Sequence, residues 1–276
     1  MTIRELLLES THRLELQRIP SPRLCAEILV SHFLKVDRTF LYTHDDANVS
    51  DTDYDKIENA TYERIIGVPV QYIVGHQEFY GRDFSVNPAV LIPRPETEYI
   101  IDSVLESNPK ADSRIIDVGT GSGCIAVTLA LELSGARVFA SDISEVALKV
   151  ARQNAINLGA RVAFVCSDVL DSLSGTFDFV VSNPPYVRRN EMEKLQREVR
   201  EYEPHVALFS PHDELDIYRR IVHASLDRLV PGGTLVMEIG FAMEEAVLSL
   251  LQSGWTRMPT RTDLQGIPRT VIARKT

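Results

Sequence analysis

Cysteine is scarce in this chain of 276 residues: Cys25, Cys124 and Cys166 stand far apart and odd in number. Such a trio offers no disulfide framework, and no CxxC or Cys/His spacing suits a zinc ion. Dispersed free thiols fit a reducing compartment, so a cytoplasmic protein is expected. Long apolar runs are missing too. The uncharged stretch 118–131 has 14 residues, and Gly119, Gly121 and Gly123 fall in its first half. It is too short and too pliant to span a bilayer. The N-terminus interleaves Glu5, Glu9 and Glu15 with Arg4 and Arg13. It has neither the apolar core of a secretory signal nor the acid-poor character of a transit peptide, so no membrane partner is expected. Positive charge is also in short supply, with 29 Lys and Arg against 39 Asp and Glu and a net charge of −10. Holding phosphates by counterion release calls for the opposite balance. Direct nucleic-acid binding is not expected.

What is present is an ordinary globular composition, 44% hydrophobic and 25% charged, with length for one large domain or two smaller ones. Residues 1–72 read as helical. Leu6, Leu7, Leu14 and Leu16 recur at helical spacing, and Pro20 ends that segment. Ser21-Pro22 supplies an N-cap and a first-turn proline for a second helix carrying Leu24, Ile28, Leu29 and Phe33. A third begins after Ser50 or Asp51 and carries Tyr54, Ile57, Tyr62 and Ile65. Residues 73–95 read as a linker, with two short strands around Gly81 and an apolar stretch before Pro93 and Pro95. From 96 to 276 strands and helices alternate, with strands near 114–118, 137–141, 162–166, 177–182 and 234–239. That alternation predicts an α/β fold, a doubly wound and mostly parallel sheet with helices on both faces. Ligands of such sheets bind beyond the carboxyl ends of the strands.

Chemistry concentrates at those ends. Asp117-Val-Gly119-Thr120-Gly121-Ser122-Gly123 follows the first strand of the alternating region. Its glycines permit a sharp turn and close approach of a ligand. A dinucleotide fingerprint needs glycine at 124, where this chain has Cys124. The GxGxG spacing with a preceding acid points instead to S-adenosylmethionine (SAM), which has no pyrophosphate to place. Asp142, after the second strand, is positioned to accept hydrogen bonds from ribose hydroxyls, or alternatively to cap the next helix. Asp168 and Val169 follow the third, where adenine is contacted in such enzymes.

Asn183-Pro184-Pro185-Tyr186 is the sharpest signal. Proline holds the residue before it extended, which makes a stiff platform beyond the strand 177–182. The Asn183 side-chain oxygen and the Pro184 carbonyl can each accept one hydrogen of a planar NH2 group. The Tyr186 ring offers a stacking surface. This suits methylation of an amide or exocyclic amine nitrogen, whose lone pair is delocalised.

These segments, with Pro69-Val-Gln-Tyr-Ile-Val-Gly75 and Leu91-Ile-Pro-Arg-Pro-Glu-Thr-Glu98, resemble the PrmC/HemK family of peptide-chain release factor glutamine methyltransferases. The resemblance covers nearly the whole chain. It implies a class I SAM-dependent methyltransferase domain (96–276) with a Rossmann-like sheet, an N-terminal helical substrate-recognition domain (1–72) and a hairpin linker (73–95). It implies methyl transfer from SAM, leaving S-adenosylhomocysteine, to the N5 amide nitrogen of the glutamine in the GGQ motif of class-1 release factors. The family's cofactor loop falls on Gly119, Thr120, Gly121, Ser122 and Gly123, its ribose acid on Asp142. Its substrate-amide clamp falls on Asn183, Pro184, Pro185 and Tyr186, with Asn183 also beside the cofactor. Where the family often has an aromatic residue, this chain has Val169, and aliphatic packing on adenine is expected there. NPPY alone is shared with adenine-N6 and ribosomal-protein glutamine methyltransferases. A non-catalytic SAM- or protein-binding module is a further alternative, although such a module needs no paired acceptor for an NH2 group.

Overall fold

The computed structural model of the chain describes residues 1–210 and 212–276. Five helices come first: α1 (Ile3–Leu16), α2 (Pro22–Leu34), α3 (Arg38–Thr43), α4 (Asp51–Ile65) and α5 (Val70–Val74). A two-stranded hairpin follows, β1 (His76–Phe79) and β2 (Arg82–Ser85). The alternating region runs α6 (Glu98–Glu106), β3 (Arg114–Val118), α7 (Cys124–Glu132), β4 (Arg137–Asp142), α8 (Glu145–Leu158), β5 (Val162–Cys166) and β6 (Phe177–Ser182). It continues with α9 (Arg197–Tyr202), α10 (His205–Leu208), α11 (Asp216–Arg228), β7 (Leu229–Glu238) and α12 (Glu244–Leu250). Strands β8 (Trp255–Arg257), β9 (Arg261–Thr262) and β10 (Pro268–Lys275) close the chain. Two compact units result: Met1–His76 with Gln196–Tyr202, and Gln77–Leu195 with Glu203–Thr276. No helix among the described residues is long and apolar enough to cross a membrane.

In the first unit, α1 starts at a capping box. The Thr2 hydroxyl accepts from the Glu5 N–H, and the Glu5 carboxylate accepts from the Thr2 N–H. Ser50 caps α4, as its place before Asp51 predicts. Ser21 does not cap α2. Its backbone is left-handed (φ 50°, ψ 53°) and its side chain makes no cap bond. An N-cap needs extended backbone to aim its oxygen at the first-turn amides, so Pro22 alone marks this helix start. Leu6, Leu7 and Leu14 pack with Ala26, Val30, Leu41 and Ile57, whereas Leu16 and Leu24 are exposed. Helix α9 belongs to this unit. Buried Arg64 pairs with Glu198 and donates to the Val68 carbonyl, and the Tyr202 hydroxyl donates to the Ile66 carbonyl.

The large sheet of the second unit has the order β5-β4-β3-β6-β7-β10-β8, with β9 beside β10. Strands β3 to β7 are parallel, while β10 runs antiparallel to β7, β8 and β9. Alternate residues serve opposite faces: Ile116, Val118 and Met237 pack with Tyr218, Ile221 and Val222 of α11 and Val247 of α12. Ile115 and Val236 pack with Ile100 and Val104 of α6 and Ile125 and Leu129 of α7. The order reverses at β3, whose neighbours are β4 and β6. A doubly wound sheet binds its ligand at that switch point.

A buried charge in the helical unit provides the first test. Glu27 is only 2% exposed and takes hydrogen bonds from Arg23, Arg38 and the Tyr42 hydroxyl. Glu27→Ala strips three donors of one acceptor. It should lower the opening free energy of the α2 amides by about 2 kcal/mol, in the range for hydrogen bonds to a charged group. Hydrogen exchange measures this, and unchanged α2 protection would show that the cluster adds nothing.

Candidate active site

Parallel register assembles the site. Val118 pairs with Ser141 on one side and with Ser182 on the other. The residues that follow these three strands therefore leave the sheet at one level. They open into a cleft of about 1190 Å³, part of it open to solvent, lined by residues of the second unit. Side chains tie β6 to β3 and β4 to the segment after β5. The Ser182 hydroxyl donates to the Val118 carbonyl (2.7 Å), and the Ser141 hydroxyl donates to the Val169 carbonyl (3.1 Å).

The glycine loop wraps the end of β3. Gly119, Gly121 and Gly123 all have positive φ (73°, 55° and 82°), the region where a Cβ is strained. A Cβ on Gly123 would also lie 3.0 Å from that of Ala151 in α8. The Gly119 and Thr120 N–H groups donate to the Ser141 carbonyl, and buried Asn154 donates to the Ser122 carbonyl. Asp142 braces the same loop. One oxygen accepts from the Gly121 N–H (2.9 Å), the other from the Ser144 N–H (2.8 Å). Each carboxylate oxygen has a second lone pair, which remains for a ligand. Ser144, not Asp142, caps α8. Burial raises the Asp142 pKa against these backbone hydrogen bonds. Asp117 lies wholly buried under the loop. Its Oδ2 accepts from the Thr120 hydroxyl (2.6 Å), while its Oδ1 makes no full hydrogen bond among the described residues. Burial pushes this carboxyl up to about 7.

At the end of β6, Asn183, Pro184 and Pro185 line the cleft. The Asn183 Nδ2 donates to the Thr97 hydroxyl (3.0 Å), and its Oδ1 makes no hydrogen bond among the described residues. Tyr186 is close by but does not line the cleft. Its ring packs over Gly240, where a Cβ would come within 2.8 Å of the ring, and its hydroxyl lies 3.5 Å from a Glu238 carboxylate oxygen. Leu91, Pro93, Arg94 and Thr97 line the cleft as well. Buried Glu203 pins this segment by accepting from the Ile92 N–H (3.3 Å) and the Arg94 guanidinium.

Gly119, Thr120, Gly121, Ser122, Asp142, Asp168, Val169, Asn183, Pro184 and Pro185 thus come together in one cleft, whereas Gly123 supports it from behind. Asp168 pairs with Arg220 of α11 (2.7 Å), which also lines the cleft. Val169 is buried with φ 50°, an outlying conformation for a β-branched residue. Sequence reasoning assigned no role to Thr97, Glu203, Arg220 or Glu238. Thr97 and Arg94 lie in the segment quoted above for the family resemblance, which was their only signal.

The cleft suits SAM on three counts. Gly119 and Gly121 leave space where a Cβ would stand, Asp142 keeps acceptor capacity for a ribose diol, and its carboxylate, which lines the cleft, suits a cationic ligand. Fold and cleft together define a class I SAM-dependent methyltransferase. The chain matches the family model of the PrmC N-terminal domain over residues 5–75 and that of the methyltransferase small domain over 97–200. It is 45% identical to a release factor glutamine methyltransferase of Koribacter versatilis, covering 100% of this chain and 99% of that protein. A release factor glutamine methyltransferase of Nitratidesulfovibrio vulgaris is 40% identical over 99% of this chain and 95% of its own length. A methyltransferase crystal structure from Pyrococcus furiosus shares the fold, with TM-score 0.54 at 17% identity over 79% of this chain and 98% of that one. The chain belongs to the release factor glutamine methyltransferase family.

Asp117 predicts a pH dependence in the ligand-free protein. A carboxyl whose folded pKa, here about 7, exceeds its unfolded value of 3.8 keeps its proton longer in the folded state. Its stabilising contribution is complete below about 4 and is lost as pH rises through 7. Asp117→Asn removes that loss. The variant's stability relative to the parent should therefore rise by about 2–4 kcal/mol between pH 4 and pH 8. Urea titrations at the two pH values test this, and a pH-independent difference would place the titration elsewhere.

Proposed function

We propose that this chain transfers the methyl group of SAM to the side-chain amide nitrogen of the GGQ glutamine in class-1 release factors, in the cytoplasm. The observation that carries this beyond family membership is the state of Asn183. Its NH2 is committed to Thr97, and its oxygen is left in the cleft as an acceptor. A primary amide needs such an acceptor for its N–H.

SAM, when bound, supplies a methyl group on a sulfonium centre open to in-line attack. The chain's residues do the rest. The 119–123 loop and Asp142 hold the ribose and the amino-acid portion. Val169 and the aliphatic surface beside it pack on adenine, with the Asp168–Arg220 pair at the rim. Asn183 Oδ1 and the Pro184 carbonyl accept the two amide hydrogens of the substrate and hold its nitrogen in a near-attack position. Both bonds strengthen as that nitrogen gains positive charge, so the platform favours the transition state over the bound substrate, and the methylated nitrogen then sheds one proton to water. Tyr186 supports the platform from its seat on Gly240 more than as an open stacking face. The helical unit is assigned to recognising the protein substrate.

Adenine-N6 methylation is the second reading, since NPPY serves it too. It needs basic surface, and the basic excess of residues 251–276, with Arg257, Arg261, Arg269, Arg274 and Lys275 against Asp263, is largely committed. Arg261 pairs with Asp102 and Glu106, Arg269 pairs with Asp263, and Lys275 donates to the Leu226 and Leu229 carbonyls. That spending of charge favours the protein amide.

Labelled SAM offered with a purified release factor, its GGQ glutamine variant and an oligonucleotide decides between the two. Label should appear on the intact factor alone, and label on the oligonucleotide alone would reject the proposal. Gly121→Val should abolish SAM binding. Asp142→Ala should weaken it by about 1–3 kcal/mol, the range for a lost hydrogen bond to a charged group. Calorimetry finding parental affinity in both would move the cofactor elsewhere. Asn183→Ala should lower the single-turnover rate by roughly 10²–10³-fold at saturating SAM while SAM affinity falls modestly. A parental rate would reduce the NPPY segment to a rigid turn.

A further inference from the structure

Glu238 is a carboxyl the chemistry above does not use, and its placement is costly. It sits at the end of β7, 2% exposed, and forms no ion pair among the described residues. A carboxylate taken out of water without a cation is expensive to keep. Its hydrogen bonds show what it does. Glu238 Oε2 accepts from the Thr97 hydroxyl at 2.6 Å, and the same hydroxyl oxygen accepts from Asn183 Nδ2 at 3.0 Å. The Glu238 backbone is fixed as well, paired with Thr270 across the sheet and bonded through its carbonyl to the Tyr218 hydroxyl (2.8 Å).

Hydrogen accounting gives the chain a direction. A carboxamide nitrogen only donates, and a threonine hydroxyl has one hydrogen. With Glu238 ionised, and therefore only an acceptor, the Thr97 hydrogen must point at Glu238. The Thr97 lone pairs then face Asn183 and can be met only by its NH2. The reversed amide would set Asn183 Oδ1 against the Thr97 oxygen and turn two donors toward the donating NH2 of the substrate.

We propose that Glu238, acting through Thr97, is the positioning residue that fixes the direction of the Asn183 carboxamide and so presents its oxygen to the substrate amide. This rests on the assignment of Asn183 as the substrate acceptor. Once protonated, Glu238 can donate to Thr97 and release the Thr97 hydrogen, and the direction is lost. Burial pushes the Glu238 pKa up to about 7. Thr97 and Tyr186 favour its charged form as hydrogen-bond donors, Arg269 favours it as a cation, and Glu96 opposes it; Tyr218 and Cys124 are the other titratable groups facing it. The single-turnover rate should therefore climb with pH along a limb centred near 7.

The test is single-turnover methyl transfer to the intact release factor, with SAM saturating, from pH 5.5 to 9, beside SAM titration of each variant. Glu238→Gln can offer Thr97 either its oxygen or its NH2 and so no longer fixes the direction; it should lower the rate at pH 8 by about 10–100-fold, the cost met where a group that orients a metal ligand is lost. It should also erase the limb near 7 and leave SAM affinity nearly unchanged, since Glu238 does not line the cleft. Thr97→Val should behave alike, because it disconnects Glu238 from Asn183, and Thr97→Ser should restore most of the rate together with the limb. The Thr97 pair decides the matter if Glu238→Gln does not fold. A rate that falls in Glu238→Gln or Thr97→Val with the limb intact means ordinary structural support and overturns the proposal. So do unchanged rates in both while Asn183→Ala is slow. An Asn183→Ala rate equal to the parent's instead overturns the assignment of Asn183 itself.

Discussion

The pairing of Val118 with both Ser141 and Ser182 is the constraint on which the site depends. In a parallel sheet the residues after three adjacent strands emerge at one edge with no further arrangement. Here those residues are Gly119, Asp142 and Asn183, which come from widely separated parts of the chain. A slip of one residue in either pairing would turn the side chains of that strand to the other face. It would also take the Ser182 hydroxyl away from the Val118 carbonyl. Core packing and site geometry are therefore set by the same hydrogen-bond ladder, and a polar cleft can sit at the edge of an apolar sheet.

Two kinds of buried carboxylate surround that cleft, and the contrast is informative. Glu203 is satisfied by the Ile92 N–H and Arg94, and in the helical unit Glu27 is satisfied by two arginines and a tyrosine. Those groups hold segments in place. Asp117 and Glu238 form no ion pair among the described residues, and burial pushes both up to about 7. Folding stability gains nothing from a charge left so exposed to desolvation cost. Their positions explain them better. Asp117 lies beneath the glycine loop, and Glu238 lies behind Asn183, the residue proposed to meet a neutral amide.

How much of this was legible in the sequence depended on whether the cause was local. The glycine loop and the proline-stiffened Asn183 platform were legible because Cβ sterics and the pre-proline restriction act within a few residues. The strand and helix alternation was legible from periodicity. Ser21 misled because a capping residue type was read without its backbone, which proves left-handed. The partners of the site residues were not legible at all. Thr97 and Glu238 lie 141 residues apart and meet because α6, which Thr97 precedes, packs on β7. Arg220 reaches Asp168 only because α11 packs on the face below it. The membership of α9 in the helical unit depends on Arg64 and Glu198, charges that on paper look like parts of two solvated helix faces.

The same distinction bears on how a weak nucleophile is made to react. A primary amide nitrogen has its lone pair delocalised, and deprotonating it first would need a far stronger base than any side chain of this cleft. What the cleft offers is two oxygen acceptors already fixed before substrate arrives. In the proposed arrangement Pro185 restrains the Pro184 carbonyl, as a proline restrains the residue before it, and Asn183 holds the other acceptor through a side-chain chain that ends in a buried strand. Acceptors fixed in advance need not reorganise as charge develops on nitrogen. The desolvation cost at Glu238 is met during folding, so that none of the reorientation has to occur during the reaction. The rigidity of a sheet edge, more than any acid or base, is what this site contributes to the chemistry.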